Sequence, residues 1–305
     1  MNTKRNSFLL VLAAFIWGVA FVAQRVGGDQ VGPISFICIR SFIGSAVLLP
    51  AIILLDKMKL TKRIPATKEE KKLLWKGGFF CGICVTLLTV FQQLGLYYGT
   101  PAGKAGFLTS CYIVLVPVLG IFFHKKCAFK TWIAVAITVV GLYLLCMDGS
   151  LRIQLSDILV LICSFMGAMH IICVDYFAEK VEGVRMSCIQ FFVAGMLTLI
   201  PMCFFEIHGN GGMGVWLTAL SSWNAWIPLL YAGALSSGVA YTLQIIGQQG
   251  VNPALASLLM SLESVFSVLA GSVLLRERMN FREIAGCAII FAAVLLAQMP
   301  EKKKN

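Results

Sequence analysis

Arg40 and Glu263 stand inside long apolar runs of the chain. An ionised side chain at the centre of a bilayer costs roughly 2.5–3.5 kcal/mol or more unless something compensates it. Groups kept at that cost have a partner. For Arg40 two kinds fit: an anionic group on a bound solute, such as a carboxylate, or backbone carbonyls and an acidic side chain that lock its helix in place. Glu263 can take up a proton, hold a cationic solute, or satisfy a helix interruption after Pro253. Around these two run polar and aromatic residues at helical spacing. Trp17, Phe21 and Gln24 lie at i, i+4 and i+7, one face of a helix, and Met166, His170 and Cys173 repeat that face later. Thr89, Gln93 and Tyr97 make a third stripe with Gln92 beside it, and Tyr241, Gln244 and Gln248 a fourth. Thr109, Tyr112 and Ser261 can complete a wall. Amides and phenols offer donors and acceptors without fixed charge, which suits a site that binds a polar solute and lets it go. The same groups also act as interhelical glue, worth about 1 kcal/mol each. The candidate solute-binding residues are therefore Trp17, Phe21, Arg40, Gln92, Gln93, Tyr97, Tyr112, His170, Tyr241, Gln244 and Glu263.

The elements that must position these residues are membrane helices. The chain has 305 residues, 59% hydrophobic and 13% charged, with mean hydropathy +0.86. That leaves too few polar side chains to cover a soluble globule. Apolar runs long enough to cross a bilayer fall near 7–27, 33–55, 73–99, 104–123, 131–147, 157–178, 186–205, 224–247, 254–275 and 283–299. The fold expected is an all-α polytopic membrane protein of ten transmembrane helices. The net charge of +11 sits in the loops beside these runs, so it points to anionic lipid head groups and no nucleic acid. The start, Met1 to Arg5 followed by an apolar run, has the form of a signal peptide, but its counterpart at 157–178 is internal, so a retained first helix is expected.

Halves of the chain copy each other. Phe91-Gln92-Gln93-Leu94-Gly95 and Thr100-Pro101-Ala102 return as Leu243-Gln244-Ile245-Ile246-Gly247 and Asn252-Pro253-Ala254, every pair offset by 152 residues. Leu10-Val11-Leu12 and Gly18 match Leu159-Val160-Leu161 and Gly167 at an offset of 149, and Cys38-Ile39-Arg40 matches Cys188-Ile189-Gln190 at 150. The first repeat is read as 7–147 and the second as 155–299, each of five helices. Five is odd, so the second copy enters from the other side and the two repeats are inverted. Lys and Arg number 18 in the segments that share a side with the N-terminus and 6 at the other ends, which predicts both termini in the cytoplasm. Arg276, Arg278 and Arg282 oppose that assignment locally, tempered by Glu277 and Glu283. Paired prolines, Pro101 and Pro253, mark matched chain breaks where hinge motion would concentrate. The Gly78/Gly82 and Gly95/Gly99/Gly103 spacings suit packing inside the bundle. Asp175 reads as a solvated carboxylate at the membrane surface.

These residues together resemble the EamA-type family of the drug/metabolite transporter superfamily. The resemblance rests on Trp17-Gly18 early in the first span, Arg40 in the second, and a closing segment of the second half. That segment runs Asn252-Pro253-Ala254, then Leu262-Glu263-Ser264-Val265-Phe266, then Glu277 and Gly286. Ser264 takes the place of the family's Pro, and in the first half Cys111 and Lys125 stand where Glu263 and Glu277 stand in the second. The resemblance covers nearly the whole chain and implies a ten-helix carrier built as two inverted EamA-like repeats. It also implies cargo drawn from amino acids, other metabolites, vitamins or drug-like compounds.

The function expected is secondary active transport of a small organic solute across the cytoplasmic (plasma) membrane by alternating access. Export of an amino acid or related metabolite comes first, and uptake of a vitamin or nucleotide-like metabolite second. No Gly-x-x-x-x-Gly-Lys-Ser/Thr loop occurs, which leaves a gradient, with protons as a candidate coupling ion. A membrane-embedded enzyme would need clustered histidines and carboxylates, whereas His124, His170 and His208 are scattered. No cofactor is expected. No metal is expected either: Cys81-x-x-Cys84 lies in an apolar helix without a second pair, and the eleven cysteines are expected apart and reduced. Partners expected are the solute, the lipid bilayer and at most a second copy, as a monomer or weak homodimer.

Overall fold

The computed structural model describes residues 3–61, 63–100, 102–125, 127–147, 154–209, 212–274 and 279–299, and among them the regular structure is helical throughout. Pro101, Arg276, Glu277 and Arg278, singled out above, lie outside the described residues. Ten helical stretches are long and apolar enough to cross a membrane. In the first half these are α1 (Thr3–Val31), α2 (Pro33–Lys57), α3 (Lys68–Tyr97), a fourth span made of α4 (Ala102–Ser110) and α5 (Tyr112–Phe122), and α6 (Phe129–Cys146). The second half begins with α7 (Leu155–Ala178) and α8 (Gly183–Pro201), the latter continued by a π-helical turn Met202–His208. After the short external helix α9 (Met213–Ala219), the eighth span joins α10 (Trp223–Leu230), a π-helical segment Tyr231–Ala240 and α11 (Tyr241–Gly247). The ninth is α12 (Pro253–Met260) with α13 (Leu262–Leu274), and the tenth α14 (Phe281–Gln298).

Local chemistry sets where these helices start. Thr67 accepts from Glu70 N while Glu70 returns a bond to the Thr67 backbone, a reciprocal cap that opens α3. Asn280 and Glu283 do the same for α14, and Asn252 with Pro253 opens α12. Spans four and nine are each broken once, at Cys111 and Ser261. Both breaks fall in mid-span, well beyond the prolines at which hinge motion was expected.

Inversion is visible in how equivalent helices meet. The carboxylate of Glu206, just past the end of α8, accepts from the backbone N–H groups of Ile34 and Ser35 at the start of α2, at 2.7 and 2.6 Å. Asp56, its counterpart at an offset of 150, lies at the end of α2 and pairs at 2.5 Å with Arg185, the counterpart of Ser35, at the start of α8. Midway, Cys38 Sγ donates to Gly195 O and Cys188 Sγ to Ser45 O, both at 3.5 Å. These are one bond copied by a two-fold axis, so α2 and α8 run antiparallel across it. The same operation relates the end of α3 to that of α11. A Cβ on Gly95 would sit 2.4 Å from Val160 Cγ2, and one on Gly247 would sit 2.9 Å from Leu10 Cγ, so only glycine admits either crossing. Gly78 and Gly82 face Ile189 and Val193 of α8, inside the bundle.

Ten crossings place the start of α1 and the end of α14 on one side, called the terminal face; the loop after α3 and the external helix α9 belong to the opposite face. Two expectations change here. Asp175 is largely shielded and pairs with Lys125 at 2.6 Å, because the loop after α5 folds back over the end of α7 on the terminal face. Cysteines are also not all apart: Cys81 Sγ of α3 lies 3.5 Å from Cys173 Sγ of α7, since those two helices pack closely across the repeats.

Candidate functional site

A cavity opens between the repeats, lined by side chains of both. Seven of the ten spans line it. From α1 come Trp17, Ala20, Phe21 and Gln24, from α2 Arg40, from α3 Leu88, Thr89 and Gln92, and from the fourth span Thr109 and Tyr112. The second repeat supplies Cys163, Gly167, His170 and Ile171 from α7, Ser236, Tyr241 and Gln244 from the eighth span, and Met260 and Glu263 from the ninth. Nine of the eleven candidates thus share one wall system. Gln93 and Tyr97 do not.

Their displacement has a geometric cause. One residue along a helix turns the side chain by about 100°, so Gln92 faces the cavity while Gln93 turns to α1 and lies against Gly28, where a Cβ would meet its Nε2. Tyr97 is at the last turn of α3, 57% exposed and clear of the cavity. The stripe on α3 is thus Leu88, Thr89 and Gln92, which an offset of 152 carries onto Ala240, Tyr241 and Gln244. On α7 the cavity face is Cys163, Gly167, His170 and Ile171; Met166 and Cys173 are off it. An offset of 150, as for Cys38 and Cys188, aligns Trp17, Ala20 and Phe21 with Gly167, His170 and Ile171. Spacing taken at 149 rotates that face by one residue. Gln248 and Ser261 serve packing: Gln248 bonds Gln244 at 3.1 Å and the Ile171 carbonyl at 3.1 Å, and Ser261 bonds Leu258 O in its own helix.

Arg40 is held by three neutral side chains. Its Nε donates to Ser237 Oγ at 3.1 Å, Nη1 to Gln24 Oε1 at 3.0 Å and Nη2 to Ser236 Oγ at 3.2 Å. The two serines come from the π-helical segment and were not read as site residues, although adjacent hydroxyls in an apolar run were the available signal. Neither locking partner expected for Arg40, a backbone carbonyl or a carboxylate, is among these contacts. Glu263 accepts from Tyr112 Oη at 3.0 Å, a bond from span four of one repeat to span nine of the other. Beside it Ser110 and Ser264 share a 2.8 Å hydrogen bond, which gives the residue in the family's proline position a cross-repeat partner. His170 Nε2 lies 3.2 Å from Gln190 Oε1 of α8.

Tyr241 is the centre of an aromatic cluster, with ring centroids 4.7 Å from Trp17, 5.1 Å from Phe191 and 5.6 Å from His170, all edge-on. Two polar atoms of the lining are buried without a partner, the Trp17 indole N–H and Gln244 Oε1. Buried polar groups without a partner are uncommon, and both of these belong to residues of the lining. Among the described residues no group of three or more His, Cys, Asp or Glu side chains can hold a metal ion.

The EamA-like transporter family matches residues 5–147 and again 154–299. An uncharacterized transporter of Archaeoglobus fulgidus is 27% identical over 295 residues, covering 95% of this chain and 84% of that one. The uncharacterized transporter YwfM of Bacillus subtilis is 22% identical over 320 residues, covering 100% and 98%. A solved crystal structure aligns with a TM-score of 0.76 at 16% identity, over 96% of this chain and 98% of that one, a likeness of fold.

Proposed function

We propose that this chain, which belongs to the EamA-like transporter family, is a secondary active transporter that moves a small organic solute by alternating access through the cavity between its repeats. The cargo proposed is an amino acid or related metabolite, and the direction export across the cytoplasmic membrane. The observation that carries this reading is the cavity's composition and place. Matched positions of inverted repeats line it, most of its polar side chains are uncharged amides, hydroxyls and phenols, and two of its lining residues, Trp17 and Gln244, bury a polar atom without a partner. A site on the axis that exchanges the repeats is the one place that can keep its contacts while the mouth changes sides. The basic loops support termini in the cytoplasm, where anionic lipid and the positive-inside bias hold them.

The test is direct. Purified protein is screened for metabolites that raise its melting temperature in proportion to concentration, as any ligand of the folded state must. The binders are then loaded into proteoliposomes and their flux measured. Saturable flux of a stabilising solute is expected; binders that never cross would leave a receptor rather than a carrier.

A further inference from the structure

Arg40 is 3% exposed, deep in a membrane helix, and pairs with no carboxylate among the described residues. Glu263 shares its cavity but is engaged by Tyr112. A guanidinium this buried remains charged, and leaving it without a countercharge is far more costly than the three neutral hydrogen bonds repay. Those bonds also leave a defined remainder. A guanidinium carries five N–H groups, one on Nε and two on each Nη. Each nitrogen donates once, to Ser237, Gln24 and Ser236, so one N–H on Nη1 and one on Nη2 stay open. The serines hold the Nε and Nη2 side of the fork, and with Gln24 on the Nη1 N–H that points back along the stem, the pair left over is the end-on pair that takes the two oxygens of a planar acceptor.

We infer that the cargo is a carboxylate whose two oxygens dock on the free Nη1 and Nη2 donors of Arg40, supplying a countercharge that none of the described residues provides. The inference rests on the cavity being the transport site and names what that site takes. Gln24, Ser236 and Ser237 are positioning residues that fix the guanidinium's plane. The π-helical winding of Tyr231–Ala240 makes this arrangement possible, since wider turns let neighbours in sequence, Ser236 and Ser237, reach one group. Close packing completes it: a Cβ on Gly44 of α2 would lie 2.7 Å from Ser237 Cβ, so α2 and the π segment meet at backbone distance. The first repeat has Cys84 and Val85 at the matching positions, so the anion site exists once and cargo binds in one orientation. The aromatic cluster around Tyr241 remains for the rest of the solute.

The test uses the full chain in detergent and a panel in which each carboxylic acid is paired with its carboxamide: alanine, leucine, phenylalanine, propionate and phenylacetate. Inorganic phosphate and phenyl phosphate serve as tetrahedral anions. Thermal stabilisation gives apparent affinities. Carboxylates are expected among the binders, with their amides about tenfold to a hundredfold weaker, the range of charge-assisted hydrogen bonds. Arg40→Gln should abolish that preference and Arg40→Lys, which keeps the charge but not the fork, should reduce it. Ser236→Ala and Ser237→Ala keep Arg40 and are the safer folders; they should lower the carboxylate-to-amide ratio, a readout that loss of stability alone would not move. Carboxamides that bind as well as carboxylates, phosphates that bind better, or no carboxylate among the binders would overturn the assignment. Carboxylate binding weakened by Gln244→Leu but untouched by Arg40→Gln would sink the carboxylate docking alone. Binding indifferent to both would count against the cavity itself.

Discussion

Gln92 and Gln93 are neighbours with opposite surroundings, and the difference can be measured. Gln92 donates to Thr109 Oγ1 at 3.2 Å inside the cavity, whereas Gln93 packs against α1. Gln92→Leu and Gln244→Leu should each cut solute flux about tenfold or more while the protein stays folded, since an apolar side chain suits the interior but removes bonds to cargo. Gln93→Leu should leave flux within about twofold and show its effect in melting temperature instead. Equal flux losses for Gln92→Leu and Gln93→Leu would place both in packing. Glu263 is argued at the same scale. If protons drive transport, a buried group must gain and lose one in each cycle, and Glu263 and His170 are the titratable pair of the cavity suited to it. Glu263→Gln can still accept from Tyr112 but cannot ionise, so it should retain binding and exchange while losing acceleration by a pH gradient. Gradient-driven flux preserved in that variant would leave Glu263 a structural role. These residues were legible as types at helical spacing. The errors were of one residue, because a face is defined only to within a rotation of about 100° until the partner helix is known.

Elements repeat the logic in pairs. The contacts of Glu206 with Ile34 and Ser35 fasten the opposite face, and the Asp56 and Arg185 pair fastens the terminal face, at positions related by the repeat. Glu206→Gln keeps one acceptor for two backbone donors and should favour opening of the opposite face; Asp56→Asn should favour the terminal face. Each change is of order 1–2 kcal/mol, enough to shift populations by about tenfold. Transport measured in the two directions from either side checks this, and two variants that alter both directions alike would remove the pairing. Glycines set the other crossings. Gly95→Ala and Gly247→Ala each push a methyl into Val160 or Leu10 and should cost about 1–3 kcal/mol, read as a lower melting temperature. Among these elements the ten spans and the duplication could be read directly, from apolar length and constant offset. The π segment Tyr231–Ala240 could not, since its extra winding leaves composition and hydropathy unchanged. Nor could the latches, because Glu206 and Asp56 look like ordinary span-end carboxylates until α2 and α8 are laid antiparallel.

At the scale of the whole molecule, an odd number of helices per repeat forces inversion, and the cavity described lies between the inverted repeats. The central claim is that this cavity meets water on each side in turn. A single cysteine at Thr89, a buried cavity position, in a background free of the eleven native cysteines reports on it directly. A membrane-impermeant thiol reagent is applied from outside to right-side-out vesicles and to inside-out vesicles. Labelling from both sides, slowed by a stabilising solute on either side, is the expected result; labelling confined to one side under every condition would contradict alternating access through this cavity.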